Sequence, residues 1–390
     1  MSKVPEAVRT ASRAAFIASF AALIACPLLA SLFGFGPAAQ LNEKRRLAPP
    51  PQFGLKGRLL AAFPAAFDAY FNDHFAFRDQ LVYAYQRTLV QGLGVSPQPD
   101  LVAIGRDGWL YYVPLAMDEY RAERPFTQAE LADLAAKFEE QRTWLAARGI
   151  RYVVVVAPDS QTINPEHLPA WVGRPAGPSR LDQLMAYLPA HTSVTVVDPR
   201  EALRQAKQRE RVYSKTDTHW NMRGSFVACQ GVVDALRGWF PAVQPLNRSD
   251  YIEATPDSAG GDLAIMLGFP ELYHEELVLL KPIRSFHWRA GPEFTAPAPM
   301  PFSLDWFHMI GAADFTAESD GADLPKAVIF HDSFGYLMRP FLSESFRRVV
   351  FHAARDLPQN RELVEREKPD VVIDELVERS LAPATPTAPH

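Results

Sequence analysis

Five short runs in this chain are apolar along almost their whole length rather than at alternate positions: 151–157 (RYVVVVA), 193–197, 326–330, 348–351 and 370–373. A strand with one face in water has to alternate, whereas a strand without a polar face is covered on both sides, as in a parallel sheet between helical layers. Helical patterns at 180–188, 222–240 and 359–367 separate several of these runs. Another at 128–148 precedes the first, with Thr127 and Glu130 spaced as a capping box. Strands alternating with helices predict an α/β three-layer sandwich around a mostly parallel sheet.

Residues 14–35 (AAFIASFAALIACPLLASLFGF) carry no charge. As a helix they rise roughly 33 Å, against a hydrocarbon core of ~30 Å. Lys3, Arg9 and Arg13 precede them, so residues 1–13 stay in the cytoplasm and the rest crosses. An uncleaved signal anchor is the expected form. A cleaved signal peptide and a lipoprotein lipidated at Cys26, after Leu23-Ile24-Ala25, are the alternatives, and all three carry the body out of the cytoplasm. A buried helix of a soluble protein would need apolar surroundings on every side.

Three cations against Glu6 give residues 1–13 a charge of +2, which leaves −7 of the total −5 on the remainder. An acidic body offers no footprint for nucleic acid. It could hold an anionic polymer only through local basic patches. Cys229 is the one cysteine outside the apolar segment, so cysteine usage neither requires nor excludes an oxidising compartment. Residues 36–56, with Pro49-Pro50-Pro51, read as a semi-rigid linker to a domain spanning 57–381. Helices are expected at 59–71 and 78–91, broken at Asn72-Asp73-His74, and a hairpin at 101–104 and 109–113. The proline-rich stretch 241–325 suggests long loops on the sheet's rim. The tail 382–390 is expected to be disordered.

Chemistry concentrates in two places. Lys326-Ala-Val-Ile-Phe-His331-Asp332-Ser333-Phe-Gly335 is a strand that ends in a polar turn, and ligand sites in α/β sheets lie beyond the carboxyl ends of strands. A helix after Ser333 would offer N–H groups to an oxyanion. Serine is a weak nucleophile that needs a base, and the base needs an orienting group. Asp217-Thr-His219-Trp220 supplies both when its backbone is extended, because residues two apart then share a face. Ser333 is thus the candidate nucleophile, His219 the general base and Asp217 its orienting carboxylate. Trp220, His331, Asp332 and Tyr336 are further candidates for substrate or oxyanion contacts. The bland readings are packing for Trp220 and turn stabilisation for Asp332; His331 is a rival base whose adjacency to Ser333 is awkward. Gly260-Gly261-Asp262 reads as a turn, the alternative being that Asp262 faces the site. The Asp217/His219 pair would also suit two metal ligands, but no metal-binding spacing such as H-E-x-x-H accompanies it, so neither metal nor cofactor is expected.

Several segments together resemble one family: Asn42-Glu-Lys-Arg-Arg-Leu-Ala48, Tyr70-Phe-Asn-Asp-His-Phe-Ala-Phe-Arg78, Gly105-Arg-Asp-Gly-Trp-Leu-Tyr111, Asp217-Thr-His-Trp220, Gly261-Asp-Leu263, His331-Asp-Ser-Phe334 and Lys368-Pro-Asp-Val-Val372. The chain resembles the AlgJ/AlgX-type alginate O-acetyltransferases, whose catalytic domain is similar to SGNH hydrolases. Its length suits the AlgJ-like form. The resemblance implies an enzyme at the periplasmic face of a bacterial inner membrane that moves acetyl groups onto exopolysaccharide hydroxyls through Ser333, His219 and Asp217. It also implies a membrane-bound O-acyltransferase as the partner supplying acetyl groups. Two departures stand out: a histidine replaces the glycine of a G-D-S motif, and Asp159-Ser160 stands where relatives carry a lysine-containing loop. An acetylesterase with the same triad, and a non-catalytic component of a polysaccharide secretion complex, remain as alternatives.

Overall fold

The computed structural model describes residues 6–33, 48–52, 58–284, 288–290, 314–354 and 357–381. They divide into two compact units, Met1–Pro97 and Gln98–His390. Residues 57–97, expected to share a domain running to 381, fall in the first unit. Most of the 36–56 linker and all of the 382–390 tail lie outside the described residues.

The first unit contains α1 (Glu6–Phe33), α2 (Arg58–His74) and α3 (Arg78–Arg87), the last continued by a π-helical segment, Thr88–Leu93. Within α1, Thr10–Pro27 has a mean hydropathy of 1.4, long and apolar enough to cross a membrane as an anchor or signal. The helix break comes later than expected. Asn72-Asp73-His74 is the last turn of α2, and the chain bends at Phe75-Ala76-Phe77, where Phe77 takes φ 65°. Asp73 does not disrupt the helix because its carboxylate is engaged: Oδ2 accepts the Ala48 N–H at 2.8 Å.

The second unit opens with the expected hairpin, β1 (Val102–Ile104) and β2 (Leu110–Tyr112). There follow α4 (Ala116–Arg121), α5 (Gln128–Ala146), β3 (Arg151–Ala157), α6 (Ser160–Ile163), α7 (Arg180–His191), β4 (Thr195–Val197), α8 (Arg200–Lys207) and α9 (Met222–Arg237). Thr127 and Glu130 cap α5 reciprocally, as their spacing predicts. The stretch expected to be rim loops instead carries two antiparallel pairs. These are β5 (Tyr251–Ala254) with β8 (Leu279–Pro282), and β6 (Asp257–Ala259) with β7 (His274–Glu276). Between β6 and β7 lies α10 (Asp262–Leu267). The chain ends with β9 (Trp288–Ala290), β10 (Asp314–Ser319), β11 (Lys326–Phe330), α11 (Arg339–Leu342), β12 (Arg348–His352), α12 (Arg361–Glu367) and β13 (Val371–Val377).

Seven strands form the central sheet, in the order β4-β3-β13-β11-β12-β10-β9. The first five are parallel, and β10 and β9 extend the edge antiparallel. The continuous apolar runs are explained by two covered faces. Val153, Val155 and Ala157 pack with Leu203 of α8 and with Phe226, Val232 and Leu236 of α9. Tyr152, Val154 and Val156 pack with Leu131 and Phe138 of α5 and with Leu181 and Leu184 of α7. Each fully buried valine is worth ~1.5–3 kcal/mol over its exposed state, so polar residues would be costly on either face. The result is a three-layer sandwich, with the carboxyl ends of β3, β13 and β11 side by side.

Candidate active site

Ser333 sits just beyond β11. It opens a short 3-10 helix, Ser333–Met338, rather than the α-helix expected there. Asp332 holds this turn: Oδ1 accepts the Phe334 N–H at 2.9 Å and Oδ2 accepts the Val377 N–H at 2.8 Å. Its own N–H donates to Glu375 Oε2 at 3.1 Å. The Ser333 turn is therefore fastened to the neighbouring strand β13, and Asp332 stabilises it as a turn residue would. Ser333 is exposed, and its N–H has no hydrogen-bond partner among the described residues.

Asp217 and His219 lie in a loop closed by a bridge between Tyr213 and Trp220, immediately before α9. Asn221 ends the loop by capping α9, its Oδ1 accepting from the N–H groups of Arg223 and Gly224. Asp217 Oδ1 accepts from His219 Nδ1 at 2.6 Å and from the His219 backbone N–H at 3.0 Å. A carboxylate only accepts, so Nδ1 carries the proton and Nε2 presents a lone pair. That nitrogen is 2.7 Å from Ser333 Oγ, across 114 positions of sequence. The separations suit transfer of the serine proton to the imidazole.

Asp262, at the start of α10, reinforces the loop. Its carboxylate accepts the Thr218 N–H at 2.8 Å and the Thr218 hydroxyl at 2.6 Å, and Oδ2 is 3.7 Å from His219 Nδ1. Its own N–H donates to Asp217 Oδ2 at 3.1 Å. Gly261 leaves room for this: a Cβ there would lie 2.7 Å from both Asp217 Cβ and Oδ2. Burial works against a charged His219, but the hydrogen bond and charge of Asp217, with Asp262 behind, outweigh it and raise the imidazole above its ordinary pKa. Burial likewise raises Asp217, and the contacts from His219 and the Asp262 N–H overcome it, leaving that carboxyl lowered.

The remaining sequence candidates divide. His331 is buried, and its Nε2 faces Arg339 Nη2 at 2.9 Å. A guanidinium only donates, so Nε2 accepts and Nδ1–H donates to the Asp332 carbonyl at 2.6 Å. Burial and the Arg339 charge push His331 down to about 4. Both ring nitrogens are thus engaged away from Ser333, against the rival-base reading. Trp220 is buried, and its Nε1–H donates to the Phe334 carbonyl at 3.1 Å, a packing and anchoring contact. Tyr336 makes its ring contacts with His331 and Arg339. Sequence reasoning noted Asp159 only as a departure from relatives and missed its cluster beside the site with buried Glu378 and half-buried Arg379. Its signal was position: both segments directly follow parallel strands, β3 and β13.

Asp217, His219 and Asp262 present ligand-type atoms within 4.8 Å of one another. Those atoms are already bonded to one another and to Thr218 and Ser333. The 2.6 Å between His219 Nδ1 and Asp217 Oδ1 is a charge-assisted hydrogen bond, shorter than the roughly 3.3 Å edge of a tetrahedral site built on bonds of 2.0–2.2 Å. The donor set fits a proton relay better than a metal.

Residues 102–281 match the family model described as "SGNH hydrolase-like domain, acetyltransferase AlgX", a span that includes Asp217, His219 and Asp262 and ends before Ser333. A relative, the probable alginate O-acetylase AlgJ of Pseudomonas aeruginosa, is 30% identical over 186 residues. The match covers 47% of this chain and 44% of the relative, so it spans less than half of that protein. In fold, the chain is similar to PatB1 of Bacillus cereus, solved with a sulfonyl adduct (14% identity, TM-score 0.52, 73% of this chain and 98% of that one). It is also similar to a DHHW family protein of Eubacterium siraeum (17% identity, TM-score 0.53, 73% and 95%). Residues 102–281 thus match the model of an SGNH hydrolase-like domain of the AlgX acetyltransferase type, and the chain resembles the AlgJ/AlgX-type O-acetyltransferases.

Proposed function

We propose that the protein is an O-acetyltransferase that adds acetyl groups to hydroxyls of an exopolysaccharide on the periplasmic face of a bacterial inner membrane, held there by α1. One observation carries the reading: the continuous relay Asp217–His219–Ser333, with links of 2.6 and 2.7 Å, ending on an exposed hydroxyl.

Ser333 Oγ attacks the acetyl carbonyl of the donor while its proton passes to His219 Nε2. The carbonyl electrons move onto oxygen, to which the Ser333 N–H, unpaired among the described residues, donates. Collapse breaks the bond to the leaving group, which takes the proton from His219, and leaves acetyl-serine. A sugar hydroxyl then gives its proton to His219 and attacks the acetyl carbon. Ser333 Oγ departs and recovers the proton. Asp217 stays ionised and stabilises the imidazolium formed in each half. A membrane-bound O-acyltransferase that passes acetyl groups outward is the proposed source of donor.

The test is to incubate the full chain in detergent micelles with an acetyl ester and an oligosaccharide. Wild type should deposit acetyl on the sugar, and the Ser333→Ala and His219→Ala proteins should not. Transfer by Ser333→Ala would sink the proposal. Exposure of Ser333 favours a second reading, acetyl-ester hydrolysis by water; free acetate at an unchanged rate with and without sugar would select it.

A further inference from the structure

Arg379 lies two residues past the end of β13, on the stretch that fastens the nucleophile turn through Val377. Its guanidinium Nη1 is paired with Asp159 Oδ1, and its backbone N–H donates to Asp159 Oδ2 at 3.0 Å. The Asp159 side chain is only 3% exposed, while that of Arg379 retains 15%. The guanidinium carbon is 5.2 Å from the ring centre of Tyr112 and 5.6 Å from that of Phe334, the residue next to Ser333. The Phe334 ring in turn lies 4.8 Å from the His219 ring. The Arg379 charge opposes protonation of His219, so its field reaches the base.

The ion pair occupies one edge of the guanidinium. The Nε and Nη2 hydrogens meet no acceptor among the described residues. A structural partner for Asp159 needs one cationic donor, which lysine supplies. A planar fork clamped from behind, flanked by two aromatic rings and carrying spare donors, suits a ligand with two oxygens in one plane. Because the body around it is acidic, attraction for an anionic polymer has to come from local cations of this kind.

We propose that Arg379 is a subsite for the carboxylate of an acidic sugar in the acceptor polymer, seated beside Ser333 and gripped by Nε and Nη2. The proposal rests on the acetyl-transfer reading. Docking the carboxylate fixes the register of the sugar, so that a particular hydroxyl meets acetyl-serine. Asp159 holds the fork in place before the ligand arrives, which reduces the ordering cost of binding.

The test separates the subsite from the chemistry by using the full-length Ser333→Ala protein in detergent micelles. Its affinity is measured for a uronic-acid oligomer and for the same oligomer with its carboxyls reduced to alcohols. A charge-assisted fork predicts tighter binding of the uronate by about tenfold to a hundredfold. Adding Arg379→Gln should bring the two affinities within about twofold, and Arg379→Lys should fall between. Should Arg379→Gln fail to fold, the pair Asp159→Asn/Arg379→Gln, which leaves no unpaired charge, replaces it. Absence of a preference in Ser333→Ala, or a preference that survives loss of Arg379, overturns the subsite. So does an equal fall in kcat for both acceptors when Arg379→Gln is made with Ser333 intact, because that assigns the donors to the oxyanion. Acetyl transfer by the wild-type chain is scored separately, so the subsite can fail while the transferase reading stands.

Discussion

Gly261→Ala is the most direct test of the geometry around His219. The backbone tolerates the change, since Gly261 has φ −72°, a value any residue adopts. The space does not: the new methyl would lie 2.7 Å from Asp217 Cβ and Oδ2, where ordinary contact begins near 3.4 Å. Something must move by roughly 0.7 Å, the difference between those two distances. The turn cannot retreat freely, because the next residue's N–H is bonded to that same Oδ2. The carboxylate is therefore driven off its 2.6 Å contact with His219 Nδ1. Losing a charge-assisted hydrogen bond costs ~1.5–3 kcal/mol, which lowers kcat/KM about tenfold to 150-fold if the bond matters only when His219 is charged. Overpacking should also lower stability by ~1–3 kcal/mol. The assay is acetyl-ester turnover by the full chain in detergent, read alongside a urea melt. A Gly261→Ala protein that turns over at the wild-type rate would refute the claim that Asp217 must sit where the structure places it.

Three further outcomes follow from the same contacts. A base must be neutral to act, so kcat/KM should fall as pH drops through the His219 pKa, and that limb should lie above the ordinary histidine value of 6.5; a limb below 6.5 contradicts the pairing. Asp217→Asn removes the charge that stabilises imidazolium, so it should move the limb to lower pH and, by analogy with other triads, cut the rate up to ~10⁴-fold. Glu378 is buried and its pKa is pushed up from 4.5 to about 8, by burial first and the Asp159 charge second. The folded state keeps a proton that the unfolded state releases, so this contribution is complete below pH 4.5 and drains away toward pH 8 at up to ~1.4 kcal/mol per unit. Glu378→Gln should accordingly gain stability on wild type as pH rises from 5 to 8 in urea titrations, and a pH-independent difference would show the carboxyl to be ionised throughout.

The layers and the Asp217–His219 pair were legible for a shared reason: their signals are local. RYVVVVA has no polar face, so it belongs between two layers. Asp217 and His219 are two apart in an extended loop, so one side chain can hold the other. What escaped the sequence depends on contacts between distant segments. Asp159 and Arg379 meet across 220 positions, and neither has a neighbour that announces the other. The role of Asp262 depends on α10 folding back between β6 and β7. The bend after α2 was placed too early because Asn72-Asp73-His74 reads as a breaker, whereas Asp73 is occupied by Ala48.

On the proposed mechanism, transfer and hydrolysis would share an acetyl-serine. Ser333 is exposed, and its turn is braced from below by Asp332 on β13 and by Trp220 on the Phe334 carbonyl. None of those contacts covers the hydroxyl, so on the proposed mechanism water and an acceptor would compete for acetyl-serine. Selectivity on that reading is set by acceptor occupancy. With a fixed acetyl ester, the ratio of acetylated sugar to free acetate should rise in proportion to oligosaccharide concentration until the acceptor site saturates, while total consumption of ester changes little if acetylation of Ser333 is rate-limiting. A ratio that stays flat while sugar is raised from far below to far above its Kd would show that water and sugar do not compete for one acyl-enzyme, and the shared intermediate would have to be abandoned.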